Sequence, residues 1–197
     1  MIRVTELLRW AGITTPIPMT PAIRTAMQRG TDVHEWSVKV EEEWGKGNRQ
    51  GTWESLAVSQ AMPEHLRGYS RAVHAFAERY RPRWSAIESR IDDSAIGLTG
   101  CPDRVGIING RHTIVDYKTG GQYPWHRLQV ALYAILVERS LWTRDGCPQF
   151  NKRLTVYLSP GGTFRIGSYS GRQDILEAWS LITRYRLEVV DPSREVG

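Results

Sequence analysis

Cysteine is scarce in this chain of 197 residues, which contains only Cys101 and Cys147. Two cysteines cannot form a disulfide framework or a four-thiolate metal site, so packing roles are expected for both. The longest nearly apolar run, residues 128–137, is shorter than the roughly 20 residues of a membrane-spanning helix. The N-terminus lacks a basic segment followed by a long apolar core, so we expect no signal peptide, no membrane partner and a cytoplasmic location. Low-complexity tracts and internal repeats are also missing, which excludes fibrous and wholly disordered classes.

Lysine is also scarce: it supplies four of the 26 basic residues, whereas arginine supplies 22. The formal net charge is +5 at pH 7 and the pI is about 9.4. Arginine makes bidentate contacts with phosphate, so an arginine-rich basic chain is compatible with a nucleic-acid partner. A G+C-rich genome would produce the same preference, and composition alone leaves both explanations open.

Helical periodicity dominates the first 80 residues, with apolar stripes over residues 22–44 and 63–80. Within the first stripe we expect a weak point at Gly30 and a solvated helix face at Glu41-Glu42-Glu43. After residue 80 the pattern predicts, in order, strands at 86–91, 99–108 and 112–117, a helix at 128–138, strands at 153–158 and 163–169, and a helix at 174–188. We therefore expect a single α/β domain over residues 1–197, with a helical N-terminal cap (1–80), a core (81–190) and a short tail (191–197).

The segment from Asp103 to Lys118 carries the residues of greatest chemical interest. Asp116 and Lys118 are two apart on a predicted strand, so their side chains leave the same face. Asp103 is expected near the middle of the preceding strand, where a two-residue turn at Asn109-Gly110 would place it directly opposite Asp116. Facing carboxylates repel each other unless a cation lies between them, and oxygen ligands suit Mg²⁺ or Mn²⁺. Two carboxylates, a metal ion and a lysine can hydrolyse a phosphodiester; an exposed, salt-bridged surface is the alternative.

These residues stand in motifs that resemble those of the PD-(D/E)XK nuclease superfamily and, within it, the RecB-like exonucleases. Residues 100–103, Gly-Cys-Pro-Asp, resemble the strand with the metal-binding aspartate, and residues 116–120, Asp-Tyr-Lys-Thr-Gly, are nearly a family consensus. A Gly-x-x-x-His motif ends at His34, and a Gln-x-x-x-Tyr motif is formed by Gln129 and Tyr133. Glu88 loosely matches the acidic residue that the family has before the metal-binding aspartate. Residues 4–8 resemble the opening of phage and mitochondrial genome-maintenance exonucleases.

The resemblance implies a restriction-endonuclease-like αβββαβ core, in which helices flank a mixed central sheet. It also implies that Asp103, Asp116 and the backbone carbonyl of Tyr117 bind the metal ion. His34 would complete the coordination from the cap, although a helix histidine with an ordinary structural role is the alternative. Lys118 would orient or deprotonate the attacking water and stabilise the charge that develops on phosphorus.

Supporting roles are implied for residues around this centre. Gln129 and Tyr133 share one helix face and would contact the DNA backbone or support the site, with helix packing as the alternative. Glu88 would be the acidic residue of the strand that precedes Asp103. Trp125 follows the loop beside the site and can stack on a splayed base, with core packing as the alternative.

One departure from the RecB-like pattern concerns cysteine. Some RecB-like branches bind an iron–sulfur cluster through three cysteines after the Gln-x-x-x-Tyr helix and one before the core. This chain has no cysteine after Cys147. We therefore expect no iron–sulfur cluster, which disfavours the CRISPR-associated branch.

The resulting expectation is a metal-dependent DNA nuclease, of the exonuclease kind, that serves DNA repair, recombination or phage DNA processing. The alternative is a nucleic-acid-binding module that retains the fold but is non-catalytic, or that cuts only when docked to a partner. A helicase, a recombinase or a single-strand-binding protein would be such a partner. Exonuclease or endonuclease action, polarity, strand preference and oligomeric state are left open by the sequence.

Overall fold

The computed structural model describes residues 1–45, 62–140 and 149–191, with side chains up to Glu42 in the first range. Most of the predicted tail and the second cysteine, Cys147, lie outside the described residues. The strands are β1 (Ile2–Arg3), β2 (Arg83–Ile87), β3 (Ile91–Asp93), β4 (Leu98–Gly100), β5 (Arg104–Ile108), β6 (Arg111–Lys118), β7 (Lys152–Leu158) and β8 (Phe164–Tyr169). The helices are α1 (Val4–Trp10), α2 (Pro21–Gly45), α3 (Glu64–Tyr80), α4 (His126–Ser140) and α5 (Arg172–Tyr185), and a π-helical segment, Arg186–Val190, follows α5.

A five-stranded mixed sheet with the order β2-β5-β6-β7-β8 forms the centre of the fold. β5 is antiparallel to both β2 and β6, β6 is parallel to β7, and β8 is antiparallel to β7. The parallel pair needs a crossover, and α4 supplies it. The predicted α/β fold with a mixed central sheet is therefore confirmed.

The hairpin between β5 and β6 closes through the predicted two-residue turn. Asn109 and Gly110 both have positive φ angles, 52° and 74°. A two-residue turn with this backbone matches the right-handed twist of its strands. The register pairs Ile108 with Arg111 and Arg104 with Val115, so one further step places Asp103 opposite Asp116.

Helices cover the two faces of the main sheet. Ile114 of β6 packs with α1, α4 and α5 in one apolar cluster. Its neighbour Val115 packs with α2 and α3 in the other. Successive strand residues point to opposite faces, so Asp116 and Lys118 lie on the α4 face, whereas the ring of Tyr117 lies on the α2–α3 face.

A second, three-stranded sheet with the order β1-β4-β3 stands beside the main sheet. β1 pairs with β4 in parallel, at Ile2 with Leu98, and β4 pairs with β3 in the antiparallel sense. Val4, Leu7 and Leu8 of α1, which follows β1 directly, are buried in the cluster around α4. The short β1 strand, which the sequence did not predict, anchors the start of the chain to the core.

The predicted strand at residues 99–108 is wrong as a single element. Its first part belongs to β4 in the small sheet and its second part is β5 in the main sheet, with Cys101, Pro102 and Asp103 outside both. Pro102 has no backbone N–H for a central ladder, which favours a break there. Asp103 therefore lies immediately before a strand, not near the middle of one.

The predicted strand at residues 86–91 is also divided, into the end of β2 and the start of β3. Glu88 lies between them with a φ of 45°, which a regular strand does not allow. The predicted weak point at Gly30 does not interrupt α2, which continues from Pro21 to Gly45. None of the helices in the described part of the chain is long and apolar enough to cross a membrane.

Candidate metal centre

Two aspartates, Asp103 immediately before β5 and Asp116 in β6, form the base of the site. Asp103 is 6% exposed and Asp116 is 1% exposed. Oδ2 of Asp103 accepts a hydrogen bond of 2.6 Å from the backbone N–H of Tyr117, so the start of β5 is joined to the end of β6. Nζ of Lys118 lies 2.8 Å from Oδ2 of Asp116 and forms an ion pair with it. The start of β5 and the end of β6 thus bring together the three side chains for which the sequence predicted catalytic roles.

His34 reaches this edge from α2. Its Nε2 lies 3.1 Å from the carbonyl oxygen of Tyr117. Its Nδ1 lies 3.1 Å from Oε1 of Glu88 and 3.5 Å from Oδ1 of Asp103. The structure therefore places His34 beside Asp103 and the carbonyl of Tyr117, two of the residues that the sequence predicted as metal ligands.

Glu88 lies closer to the centre than its predicted supporting role requires. Within the described ranges, His34, Glu88 and Asp103 each offer a ligand atom, and these three atoms lie within 4.8 Å of one another. The positive φ of Glu88 turns the chain at the end of β2, where its carboxylate meets His34. Asp116 is not a member of this group, and its carboxylate forms an ion pair with Lys118.

In the metal-free centre, bound protons and the positively charged Lys118 balance the negative charge of the carboxylates. Burial opposes a charge on His34, but Asp103 and Glu88 outweigh burial and raise the pKa of His34 to about 9. Burial and the neighbouring Asp116 raise the pKa of Asp103 to about 7, against the opposing effect of His34 and Lys118. Burial would lower the pKa of Lys118, but Asp116 and Asp103 raise it. The centre thus favours additional positive charge.

The donor set fits a divalent cation. Carboxylate and carbonyl oxygens with one imidazole suit Mg²⁺ and Mn²⁺ better than softer metals. Oδ2 of Asp116 is buried and accepts no hydrogen bond of good geometry from the described residues, although Lys118 lies at ion-pair distance. A buried carboxylate oxygen that accepts no hydrogen bond has a lone pair available for a metal ion.

A buried polar network behind the centre was missed by the sequence interpretation. The predicted solvated face at Glu41-Glu42-Glu43 is wrong for Glu41, which is 3% exposed. Glu41 forms an ion pair with the fully buried Arg104 and accepts hydrogen bonds of 2.9 Å from Trp84 and Tyr117. The sequence contained one sign that Glu41 faces the core, because Glu41 follows His34 by seven residues and shares its helix face.

Gln129 and Tyr133 lie in the part of α4, residues 128–137, in which every side chain is buried. Their side chains are joined by a 3.2 Å hydrogen bond, and the residues are only 4% and 6% exposed. Burial, Asp116 and Asp103 all raise the pKa of the Tyr133 hydroxyl, which locates it near the two carboxylates. This burial favours support of the site over direct contact with DNA.

Trp125 immediately precedes α4, and His126 is the first residue of that helix. Trp125 is partly buried against the core, with its ring 4.2 Å from that of His126 and 6.1 Å from that of the exposed Tyr123. His126, which the sequence left unassigned, is buried and lies 2.8 Å from the hydroxyl of Tyr157. Burial and the nearby Lys118 lower the pKa of His126 to about 4, so its ring is neutral at pH 7.

The mixed sheet and its edge of two aspartates and a lysine define a restriction-endonuclease-like fold with a candidate divalent-metal centre. The chain belongs to the PD-(D/E)XK nuclease superfamily, whose family model matches residues 7–166. Members of this superfamily are nucleases that use divalent metal ions.

No curated protein matches the chain. Among solved structures, one titled "Crystal structure of SSO0001" is 15% identical to it, with a TM-score of 0.36. That match covers 98% of this chain and 87% of the other.

Proposed function

We propose that this protein is a metal-dependent deoxyribonuclease of the RecB-like branch, and that it acts as an exonuclease. The observation that supports this most is the approach of His34, from the predicted cap, to Asp103, Glu88 and the carbonyl of Tyr117. A histidine in this position is what the RecB-like resemblance implies. The proposal includes the cytoplasmic location, the single domain over residues 1–197 and a role in DNA repair, recombination or phage DNA processing.

The proposed ligands of Mg²⁺ or Mn²⁺ are His34, Asp103, Asp116 and the carbonyl of Tyr117, to which the structure adds Glu88 as a candidate. When bound, the metal ion would polarise the phosphate and lower the pKa of a bound water. The protein contributes the fixed donors, because the strand pairing and α2 hold them in place before substrate arrives.

Lys118 has a proposed catalytic role of its own. Its ammonium lies 2.8 Å from Asp116, and Asp116 and Asp103 raise its pKa despite burial. It is therefore protonated at pH 7 in the metal-free protein, so it serves first to stabilise negative charge on the phosphate. Removal of a proton from the attacking water would need this pKa to fall, which a bound divalent cation favours.

A cleft of about 290 Å³ beside the centre supports DNA as the substrate. Its lining includes the exposed Arg3 and Arg90, together with Cys101, whose Sγ lies 3.9 Å from Oε2 of Glu88. Arginine side chains at such a position suit the backbone phosphates that flank a scissile bond. We propose that the strand to be cut approaches the centre through this cleft.

The test is digestion of end-labelled linear DNA and of covalently closed circular DNA by the purified protein. Each reaction is run with Mg²⁺, with Mn²⁺ and with EDTA, and Asp116→Asn is the matched inactive variant. We expect metal-dependent loss of linear DNA and survival of circular DNA. Cutting of circular DNA would indicate an endonuclease, and cutting in EDTA would contradict the metal mechanism. Binding without cutting would favour the non-catalytic or partner-dependent module.

A further inference from the structure

A buried ion pair joins α2 to β5 directly behind the metal centre. Arg104 is 0% exposed and Glu41 is 3% exposed, and Nε of Arg104 donates to Oε2 of Glu41. The other oxygen of Glu41 accepts one hydrogen bond from the indole of Trp84 and one from the hydroxyl of Tyr117, both at 2.9 Å. Three donors, one each from β2, β5 and β6, therefore satisfy the hydrogen-bonding needs of this carboxylate.

The same guanidinium holds parts of the centre itself. Nη1 of Arg104 donates to Oε1 of Glu88 at 3.1 Å and to the carbonyl oxygen of Asp103 at 2.7 Å. Nη2 donates to Oγ of Ser37 at 2.5 Å, and the hydroxyl of Ser37 donates to the carbonyl oxygen of His34 at 2.8 Å. Arg104 thus connects to three proposed or candidate ligand residues through hydrogen bonds, directly or through one hydroxyl.

The polar contacts of α2 with the sheet lie along one helix face. His34, Ser37 and Glu41 follow one another at spacings of three and four residues, which places them on the same side. Among the described residues of α2, only Val33 and Val40 are buried apolar side chains. Trp36 adds a partly buried apolar contact with the cluster around α3, and the polar contacts complete the placement of α2 on the sheet.

Stability alone is a weak explanation for this pair. A buried ion pair loses much of its Coulomb energy to desolvation, and replacement by apolar residues is often neutral or stabilising. Here, however, the pair fixes groups that would ligate a metal ion, and such outer contacts control ligand placement. We propose that Glu41 and Arg104 are positioning residues that set α2 on the sheet and thereby place His34 and Glu88 for metal binding.

This inference rests on the proposed function, and calorimetric titration with Mn²⁺ tests both. The proteins compared are the parent, Glu41→Gln, Arg104→Lys and the control Arg153→Lys. Arg153 is also buried, at 2% exposed, and pairs with Asp174 of α5 away from α2. We expect Glu41→Gln and Arg104→Lys to weaken Mn²⁺ binding by about 10-fold to 100-fold. We expect Arg153→Lys to lower the melting temperature but to retain the parental Mn²⁺ affinity.

A double-mutant cycle separates positioning from a general loss of structure. If Glu41 acts through His34, adding Glu41→Gln to His34→Ala should weaken Mn²⁺ binding far less than Glu41→Gln does in the parent. Independent, additive losses would overturn the inference, as would parental Mn²⁺ affinity in Glu41→Gln. Should Arg104→Lys fail to fold, Glu41→Gln still decides, because its amide oxygen can accept the bonds from Trp84 and Tyr117. A parent protein that does not bind Mn²⁺ would overturn the proposed function, and this inference with it.

Discussion

Nε2 of His34 lies 3.1 Å from the carbonyl oxygen of Tyr117, although 83 residues separate the two in the chain. The hydroxyl of Tyr117 is held by the same helix, because it donates to Glu41. α2 therefore holds Tyr117 at both its backbone and its ring. The predicted cap is thus part of the site, since it provides a proposed metal ligand and fixes β6, the strand that carries Asp116 and Tyr117.

Lys118 is the first residue to test by substitution. We expect Lys118→Ala to lower the single-turnover cleavage rate by about 10² or more, the range for positioned acid–base and electrostatic groups. Metal affinity should not fall, because lysine is not a ligand. Lys118→Arg should rescue poorly, since its guanidinium is broader than an ammonium and does not deprotonate. Near-parental cleavage by Lys118→Arg would reduce Lys118 to a charge partner of Asp116.

Asp116→Asn should abolish cleavage and leave DNA binding measurable. The change removes a proposed metal ligand but keeps the size of the side chain, and DNA binding rests on arginine contacts spread over the surface. Cleavage assays and fluorescence anisotropy with a labelled duplex measure the two properties separately. Parental cleavage by Asp116→Asn would show that the site lies elsewhere.

The hairpin between β5 and β6 was predictable because its turn residues give a strong signal. Asn109 and Gly110 adopt the positive φ angles that their hairpin requires, and the two-residue period of a strand gave the β6 residues that share a face. The break between β4 and β5 was not predictable from hydrophobicity, because both segments are apolar and nearly continuous. Pro102 favours a break there, but the membership of the two segments in different sheets depends on pairings with distant strands.

The candidate site was predictable where its residues are close in sequence or stand in a motif. Asp103, Asp116 and Lys118 follow from one hairpin, whereas His34 came from the family resemblance. Glu41 was misread because a run of three glutamates is usually solvated. Arg104, 63 residues away, neutralises the buried carboxylate, and a partner so distant in the chain is not visible in the run of glutamates. The one local sign was the seven-residue spacing that puts Glu41 on the helix face of His34.

Gly68 lies where α3 packs closely against the β7–β8 turn, so the stability of the protein depends on this residue's lack of a side chain. A Cβ at this position would lie 1.7 Å from the carbonyl oxygen of Pro160. We expect Gly68→Ala to destabilise the protein by about 1–3 kcal/mol, because the helix or the turn must shift. Denaturant unfolding measures the change. The control is Gly161→Ala, whose Cβ meets only Oγ of Ser159 at 3.5 Å; equal stability of the two variants would contradict the packing.

DNA binding should weaken steeply as salt concentration rises. The net charge is +5, and each phosphate neutralised by an arginine releases condensed counterions. We expect a linear fall of log affinity with log salt, with a slope of several counterions, for Asp116→Asn in EDTA. A flat response would indicate that the arginine excess reflects genome composition alone.

Protons and metal ions should compete for the centre, which makes stability depend on pH. The folded, metal-free protein raises the pKa of Asp103 from 3.8 to about 7 and that of His34 from 6.5 to about 9. Both groups bind protons more tightly when folded than when unfolded. Their contributions to stability therefore fall as pH rises, for Asp103 between pH 3.8 and about 7 and for His34 between pH 6.5 and about 9.

The final prediction follows from this competition. A metal ion needs a neutral histidine and ionised carboxylates, so Mg²⁺ binding should release protons and strengthen as pH rises from about 6 to 8.5. Calorimetry in buffers of different ionisation enthalpy should detect roughly one to two protons released per ion at pH 7. Thermal unfolding in EDTA and in Mg²⁺ should diverge over the same range. His34→Ala should release fewer protons than the parent, and equal release by both proteins would remove His34 from the centre.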